Sequence, residues 1–347
     1  MINVLIVSFS YVAALVGAGF ASGQEIISFF VKYGKTSILG LVIASVAFGL
    51  MATAITAWCV EEKEFEYSGF LDKCMGKKAN IATQIITLVF GLAVFCAMAS
   101  GCGEMGYALF GIDVRWGILA ICLVCCIAFI LGTDGAMEIN AVLGAGIVVG
   151  IISICLYILT YREHQTFSLA RSVVSSLSYS GYNLITAPCV LVPLSARLRN
   201  KTEAVYTGLV SGCTMFVMML LMWLILSIYY GEINLGEIPM LTMAMRQNRA
   251  ITVIYSVLLL LALLSTAISN GIGCINILKS CTGFFTAACI VLGCGLFFAR
   301  AGFGNLIDKV YRICGYAGVF PVVYILIKIL NFFKKHRKSL KNRDIER

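Results

Sequence analysis

Charge and histidine are sparse in this chain, and each scarcity removes a class of protein. Charged residues make up 12% of the 347 residues while 60% are hydrophobic, with a mean hydropathy of +0.95; soluble domains carry roughly a quarter charged. A water-soluble core of this length cannot hide so much apolar surface, so lipid is the solvent for most of the chain. Only two histidines occur, His164 and His336, both in polar segments, which leaves no imidazole set for a metal centre. A P-loop is missing, and the one G-x-G-x-x-G run, "GCGEMG", lies inside an apolar span rather than ahead of a soluble helix. ATP-driven transport and redox chemistry therefore have no support. The start, "MINVLIVSFS", lacks the basic region of a secretory signal and is expected to be mature protein.

What the chain does contain is cysteine, glycine and long apolar runs. Most of the fifteen cysteines sit within apolar segments, as in "CLVCC" (Cys122, Cys125, Cys126). Without partner ligands their C-x-x-C spacing reads as small apolar filler, and no disulfide framework is implied. Prolines number four and glycines 33, as close helix packing in membranes favours.

Runs long enough to span lie at roughly 3–33, 36–60, 79–110, 115–132, 138–160, 171–196, 203–230, 249–279, 281–299 and 306–333. Ten spans place both termini on one side. The tail "KKHRKSLKNRDIER", "KKA" near Lys78 and "ARLRNK" near Arg199 then share that side, which the positive-inside rule makes cytoplasmic. The expected location is the cell membrane. The basic tail reads as a topology determinant or as a surface for anionic lipid. Its basic residues lack aromatic interleaving, so no nucleic acid partner is expected.

Spans 3 and 8, each about 31 residues or about 47 Å long, exceed a bilayer core of ~30 Å. They lie five spans apart. So do the amphipathic connections before them, Phe65–Gly76 and Ile233–Asn248. Five is odd, so a second copy would be inverted: an all-α membrane protein of ten helices, arranged as a 5+5 inverted repeat over 1–165 and 166–333, with a cytoplasmic tail at 334–347.

Span 1 carries "VGAGFASGQE" and span 6 carries "SYSGYN" followed by Pro188 and Pro193. Both are expected to break at mid-membrane, the pattern of a transporter binding site. Irregular backbone at that depth is tolerated only around a protein-buried or watered cavity. Glycine admits a ligand to the backbone, and the half-helix ends present opposite partial charges to an anion and a cation. Tight helix packing is the competing reading for the glycines. The substrate-site candidates are Gly17, Ala18, Gly19, Phe20, Gln24, Glu25, Tyr179, Ser180, Gly181 and Asn183. Glu25 reads as a gate, a partner for a substrate amine or a proton carrier, or else as a residue near the outer mouth paired with Lys32 or Lys35. Glu104, in span 3, is a weaker candidate. The tyrosines either cap a substrate or pack.

"VGAGFASGQE", the ten spans and the break expected in span 6 resemble the YkvI-like amino acid permease family of the amino acid–polyamine–organocation superfamily. More distantly they resemble leucine-transporter-type sodium symporters. That resemblance implies a bundle of spans 1, 2, 6 and 7 rocking against spans 3, 4, 8 and 9. It also implies a sodium site between span 1 carbonyls, here Ala13 and Val16, and a span 8 motif, here Ala262, Ser265 and Thr266. The same hydroxyls have an alternative in their own helix carbonyls. Phe20 stands where those symporters usually place an asparagine, which puts a second ion in doubt. The expected function is a cation-coupled symporter of an amino acid or similar small zwitterion, using Na+ or H+ and no other cofactor. The alternative is a membrane solute sensor using the same site without net transport. A membrane enzyme has no nucleophile–base pair to support it, and two broken helices suit a closed midplane site better than a channel.

Overall fold

The structure, a computed structural model, describes residues 1–131, 149–153, 155–156, 169–231, 234 and 236–345. Every regular element among them is helical, as backbone buried in hydrocarbon requires. Six helical segments among the described residues are long and apolar enough to cross a membrane: Ser37–Glu62, Ala79–Phe110, Lys201–Tyr229, Arg249–Lys279, Phe284–Ala301 and Phe303–Lys335. They match the expected spans 2, 3, 7, 8, 9 and 10. Span 4 appears as a shorter apolar helix. Most of span 5 (138–160) and the repeat boundary at 165 lie outside the described residues.

The first span is three helices: α1 (Ile2–Leu15), α2 (Ala18–Ala21) and α3 (Gln24–Phe29). Then follow α4 (Ser37–Glu62), α5 (Tyr67–Phe110), α6 (Val114–Leu131), α7 (Leu169–Leu194) and α8 (Lys201–Tyr229). A short α9 (Pro239–Gln247) precedes α10 (Arg249–Thr282) and α11 (Phe284–Phe298). Finally α12 (Phe303–Asn305) runs through a π-helical turn, Leu306–Tyr311, into α13 (Arg312–Ile345).

Local chemistry sets these boundaries. Asn200 starts α8 by accepting the Glu203 N–H at 2.9 Å, and Asn248 starts α10 by accepting the Ile251 N–H at 2.9 Å. Pro239 opens α9, where its missing N–H is harmless. Within α5, Gly76 (φ 72°, ψ 161°) kinks the helix. The kink separates the amphipathic lead-in from the span proper, where the sequence pattern changes.

Two packing groups result. α1, α4, α7 and α8 pack on one another, and α5, α6, α10 and α11 form the second group. α13 lies along α7. Small residues permit the closest approaches: a Cβ on Gly49 of α4 would stand 2.9 Å from the Gly208 carbonyl of α8.

Span 6 departs from expectation. α7 is helical throughout Leu169–Leu194, with no interruption at "SYSGYN". Its polar side chains are accommodated without unwinding. Ser176 donates to the Ser172 carbonyl (2.7 Å), Asn183 Nδ2 to the Tyr179 carbonyl (3.0 Å) and Thr186 to the Asn183 carbonyl (2.9 Å). Such back-bonding is a helix-internal alternative to a break.

Candidate substrate site

The opening glycines of span 1 produce two interruptions. At the first, the Val16 N–H still reaches the Val12 carbonyl (2.8 Å), but Gly17 is extended (φ −73°, ψ 176°). The next return is the Ala21 N–H to the Gly17 carbonyl at 2.9 Å. No backbone hydrogen bond to the Ala13 or Val16 carbonyl is formed across the break among the described residues. Thr266 of α10 lies against Gly17, which brings one span 8 hydroxyl to the break. Ala262 is buried on the same helix, while the Ser265 carbonyl accepts the Ser269 hydroxyl at 2.9 Å.

The second interruption falls at Ser22–Gly23. Gly23 takes a left-handed conformation (φ 84°) that a side chain disfavours. Neighbours satisfy the freed groups: the Met240 N–H of α9 donates to the Ser22 carbonyl (2.9 Å), and the Tyr255 hydroxyl of α10 donates to the Ala21 carbonyl. The Ser22 hydroxyl closes the turn by donating to the Gly19 carbonyl at 2.8 Å. Ala18 and Phe20 are wholly buried in the core.

This turn aims Glu25 back at α2. Its carboxylate lies over Gly19, in the space that a Cβ there would take. Glu25 is only 5% exposed, and its Oε2 has no hydrogen-bond partner. The expectation that Lys32 or Lys35 pairs with it is not met by Lys32, which binds Asp308 at 2.6 Å. The Tyr182 hydroxyl faces the carboxyl without completing a hydrogen bond to Oε2. Tyr179 and Ser180 also keep buried hydroxyls without partners. Buried polar atoms are ordinarily paired, and an isolated buried carboxylate costs on the order of several kcal/mol. A concentration of such atoms on α3 and α7 is what a binding site built for a polar ligand would leave.

Aromatic rings wall the cluster. Phe29 lies 5.6 Å from Tyr179 and 5.5 Å from Tyr182 between centroids, and the two tyrosines are 5.5 Å apart. Phe90 of α5 and Tyr311 of the π-helical turn each stand 5.2 Å from Tyr182. Neither Phe90 nor Tyr311 is recognisable as site-lining in the sequence. A π turn inside an otherwise apolar span is a common mark of a functional position, but it is a property of the backbone.

One side of the cluster is closed by charge. Asp308 binds Lys32 (2.6 Å) and Arg312 (3.0 Å). Arg312 also donates to the Ser28 carbonyl (2.8 Å) and the Tyr33 hydroxyl (3.1 Å), and lies 5.0 Å over the Phe29 ring. These contacts tie the end of span 1 to span 10.

Other candidates sit elsewhere. Gln24 points away from Glu25, its amide beside the Glu237 carboxylate and Gly304, whose N–H donates to Glu237. Glu104 is close enough to feel the Glu237 charge rather than that of Glu25. Gly181 is a packing contact: a Cβ on it would collide with the Gly315 carbonyl of α13. Asn183 spends its amide N–H on its own helix. The cluster thus brings together Glu25, Gly19 and Tyr179 from the candidate set and leaves Gln24, Gly181 and Asn183 outside, while the Ser180 hydroxyl is buried on the same helix as Tyr179.

No family model matches the chain. It is 23% identical over 337 residues to the uncharacterized membrane protein YkvI of Bacillus subtilis (strain 168), covering 92% of this chain and 94% of that one. Among solved structures, a Na+-coupled sialic acid symporter in a substrate-bound outward-open state superposes with a TM-score of 0.60. The identity is 14%, over 90% of this chain and 76% of the symporter. The manganese transporter of Eremococcus coleocola also gives 0.60 at 13% identity, over 94% and 86% of the two chains. Sharing a fold at such identity leaves chemistry to the site itself. Over nearly its whole length this chain is similar to YkvI and shares its fold with these two membrane transporters.

Proposed function

We propose that this protein is a secondary active transporter, a cation-coupled symporter that moves an amino acid or similar small zwitterionic solute by alternating access. The observation that carries the reading is the first span's break beside the buried Glu25 carboxyl group, whose Oε2 has no hydrogen-bond partner. Glu25 belongs to the span 1 segment that packs on α7 and α8, while from the other packing group Thr266 of α10 lies against Gly17 and Phe90 of α5 lies against Tyr182. A ligand held there contacts both groups. Movement of one group against the other would then expose it to either side, as in ten helices arranged as two inverted fives.

Two coupling schemes fit the residues. Hard oxygen ligands for Na+ are available from the Ala13 and Val16 carbonyls with the Thr266 hydroxyl, and Glu25 is a carrier for H+. Ser265 and Ala262 complete the proposed Na+ set. The positive-inside pattern supports a cytoplasmic membrane location with both termini inside. The test is counterflow in proteoliposomes loaded with unlabelled amino acids. Labelled amino acid should accumulate transiently, and a Na+ or pH gradient should raise net uptake. If none of the common amino acids exchanges in either direction while the protein binds one of them, the transport reading fails in favour of a sensor.

A further inference from the structure

We infer that the Glu25–tyrosine cluster is an ammonium-selecting site: the ligand's positive nitrogen is its required feature, and simple organic amines that lack a carboxylate bind as well as amino acids do. The inference rests on the substrate-site reading above and deepens it by naming what the ligand must carry.

Charge within the cluster is one-sided. Glu25 supplies a buried carboxylate whose Oε2 has no partner, and no ion pair reaches it among the described residues. The nearest basic side chain in the wall is Arg312, stacked on Phe29, but Asp308, the Ser28 carbonyl and the Tyr33 hydroxyl already take its donors. Lys32 is held by the same Asp308. A cation brought to Glu25 therefore meets a carboxyl oxygen that no protein group engages, whereas an anion gains no free basic side chain there among the described residues.

The walls point the same way. Tyr179, Tyr182 and Tyr311 lie near enough to Glu25 to feel its charge, Phe29 and Phe90 pack against these rings, and aromatic faces attract ammonium groups by roughly 0.5–2 kcal/mol each. Arg312 over Phe29 is one such contact already made at the edge of the cluster. For a ligand carboxylate the cluster provides neutral hydroxyl donors, those of Tyr179 and Tyr182. The four-residue α2 is too short to add a helix-end anion site. A carboxylate on the ligand is thus tolerated, whereas the amine supplies the charge that Glu25 lacks. Next to Gln24, the Glu237 and Glu104 carboxylates add negative potential along the same end of α3.

The experiment compares matched ligands on the purified full-length protein in nanodiscs, by calorimetry and thermal stabilisation. One series is isoamylamine, leucine and 4-methylpentanoate; a second is phenethylamine, phenylalanine and 3-phenylpropionate. In at least one series the amine and the amino acid should bind within about tenfold of each other, and the desamino acid should bind at least about a hundredfold more weakly. Glu25→Gln should lose the amine by at least tenfold while the unliganded protein stays folded, because Oε2 has no protein partner to lose. Binding of the desamino acid equal to or tighter than that of the amine overturns the inference, as does no amine binding at all. So does undiminished amine binding by Glu25→Gln. Counterflow separates the two readings: amine selectivity without exchange keeps the inference and removes transport, while exchange that Glu25→Gln leaves intact does the reverse.

Discussion

Gly19→Ala should change the sign of its effect according to what stands at position 25. Gly19 lies in the middle of α2, where alanine is preferred over glycine by roughly 1 kcal/mol. Opposing this, a Cβ at position 19 falls where Glu25 Oε1 now lies, 3.0 Å from Glu25 Cδ and 3.2 Å from Cγ. A carboxylate on an exposed chain would swing aside. Here the side chain is buried beside Tyr179 and Tyr182, so displacement means overpacking, a penalty of roughly 1–3 kcal/mol. In the wild-type background the two effects nearly cancel or leave a loss of up to about 2 kcal/mol. With Glu25→Ala already in place the clash is gone and Gly19→Ala should stabilise by up to about 1 kcal/mol. The coupling energy between the two positions is then about 1–3 kcal/mol, readable from a double-mutant cycle. Unfolding in mixed detergent micelles, followed by intrinsic fluorescence, gives the four values. A coupling below about 0.5 kcal/mol, the level at which distant sites are additive, would refute the placement of the carboxylate over Gly19.

Two further outcomes test the neighbouring geometry. Gly23→Ala combines a positive φ of 84° with a Cβ 2.9 Å from both Leu226 Cδ1 and Met240 Cγ, whereas Gly111→Ala (φ 67°) meets nothing within 4 Å. The second should cost about 1–2 kcal/mol from backbone conformation alone, and the first about 1–3 kcal/mol more from packing; equal losses in the same unfolding assay would exclude the tight turn. Ser265→Ala combined with Thr266→Val should weaken the sodium dependence of uptake at least tenfold in apparent affinity, and a wild-type protein whose uptake ignores sodium would remove the proposed ion site.

Several features of the fold were legible because they are local. Span 3 at 79–110 and span 8 at 249–279 reappear as Ala79–Phe110 and Arg249–Lys279, since an uninterrupted apolar run in lipid has no alternative to helix. The amphipathic stretch before span 8 contains α9, opened by its own proline. The first break sits at Val16–Gly17, inside the glycine-rich decapeptide that suggested it. Span 6 misled for a reason found in the same chemistry: serine, glycine and asparagine mark a break or a closely packed helix equally well. Nothing within "SYSGYN" distinguishes them, and only the Gly315 carbonyl against Gly181 decides for packing.

The sequence by itself determined that lipid is the solvent, where the six described helices long and apolar enough to cross it lie, and that the first apolar run is interrupted beside a carboxylate. Tertiary structure alone decided that Glu25 turns back onto Gly19, that Phe90 and Tyr311 pack against Tyr182, and that Lys32 closes on Asp308 instead. In water, a helix announces its buried face by the period of its apolar residues. In a bilayer, the lipid tails are as apolar as a leucine side chain, so a helix is hydrophobic all round. Its inward face is then set by shape, small-residue contacts and a few polar atoms that meet only when distant spans are brought together.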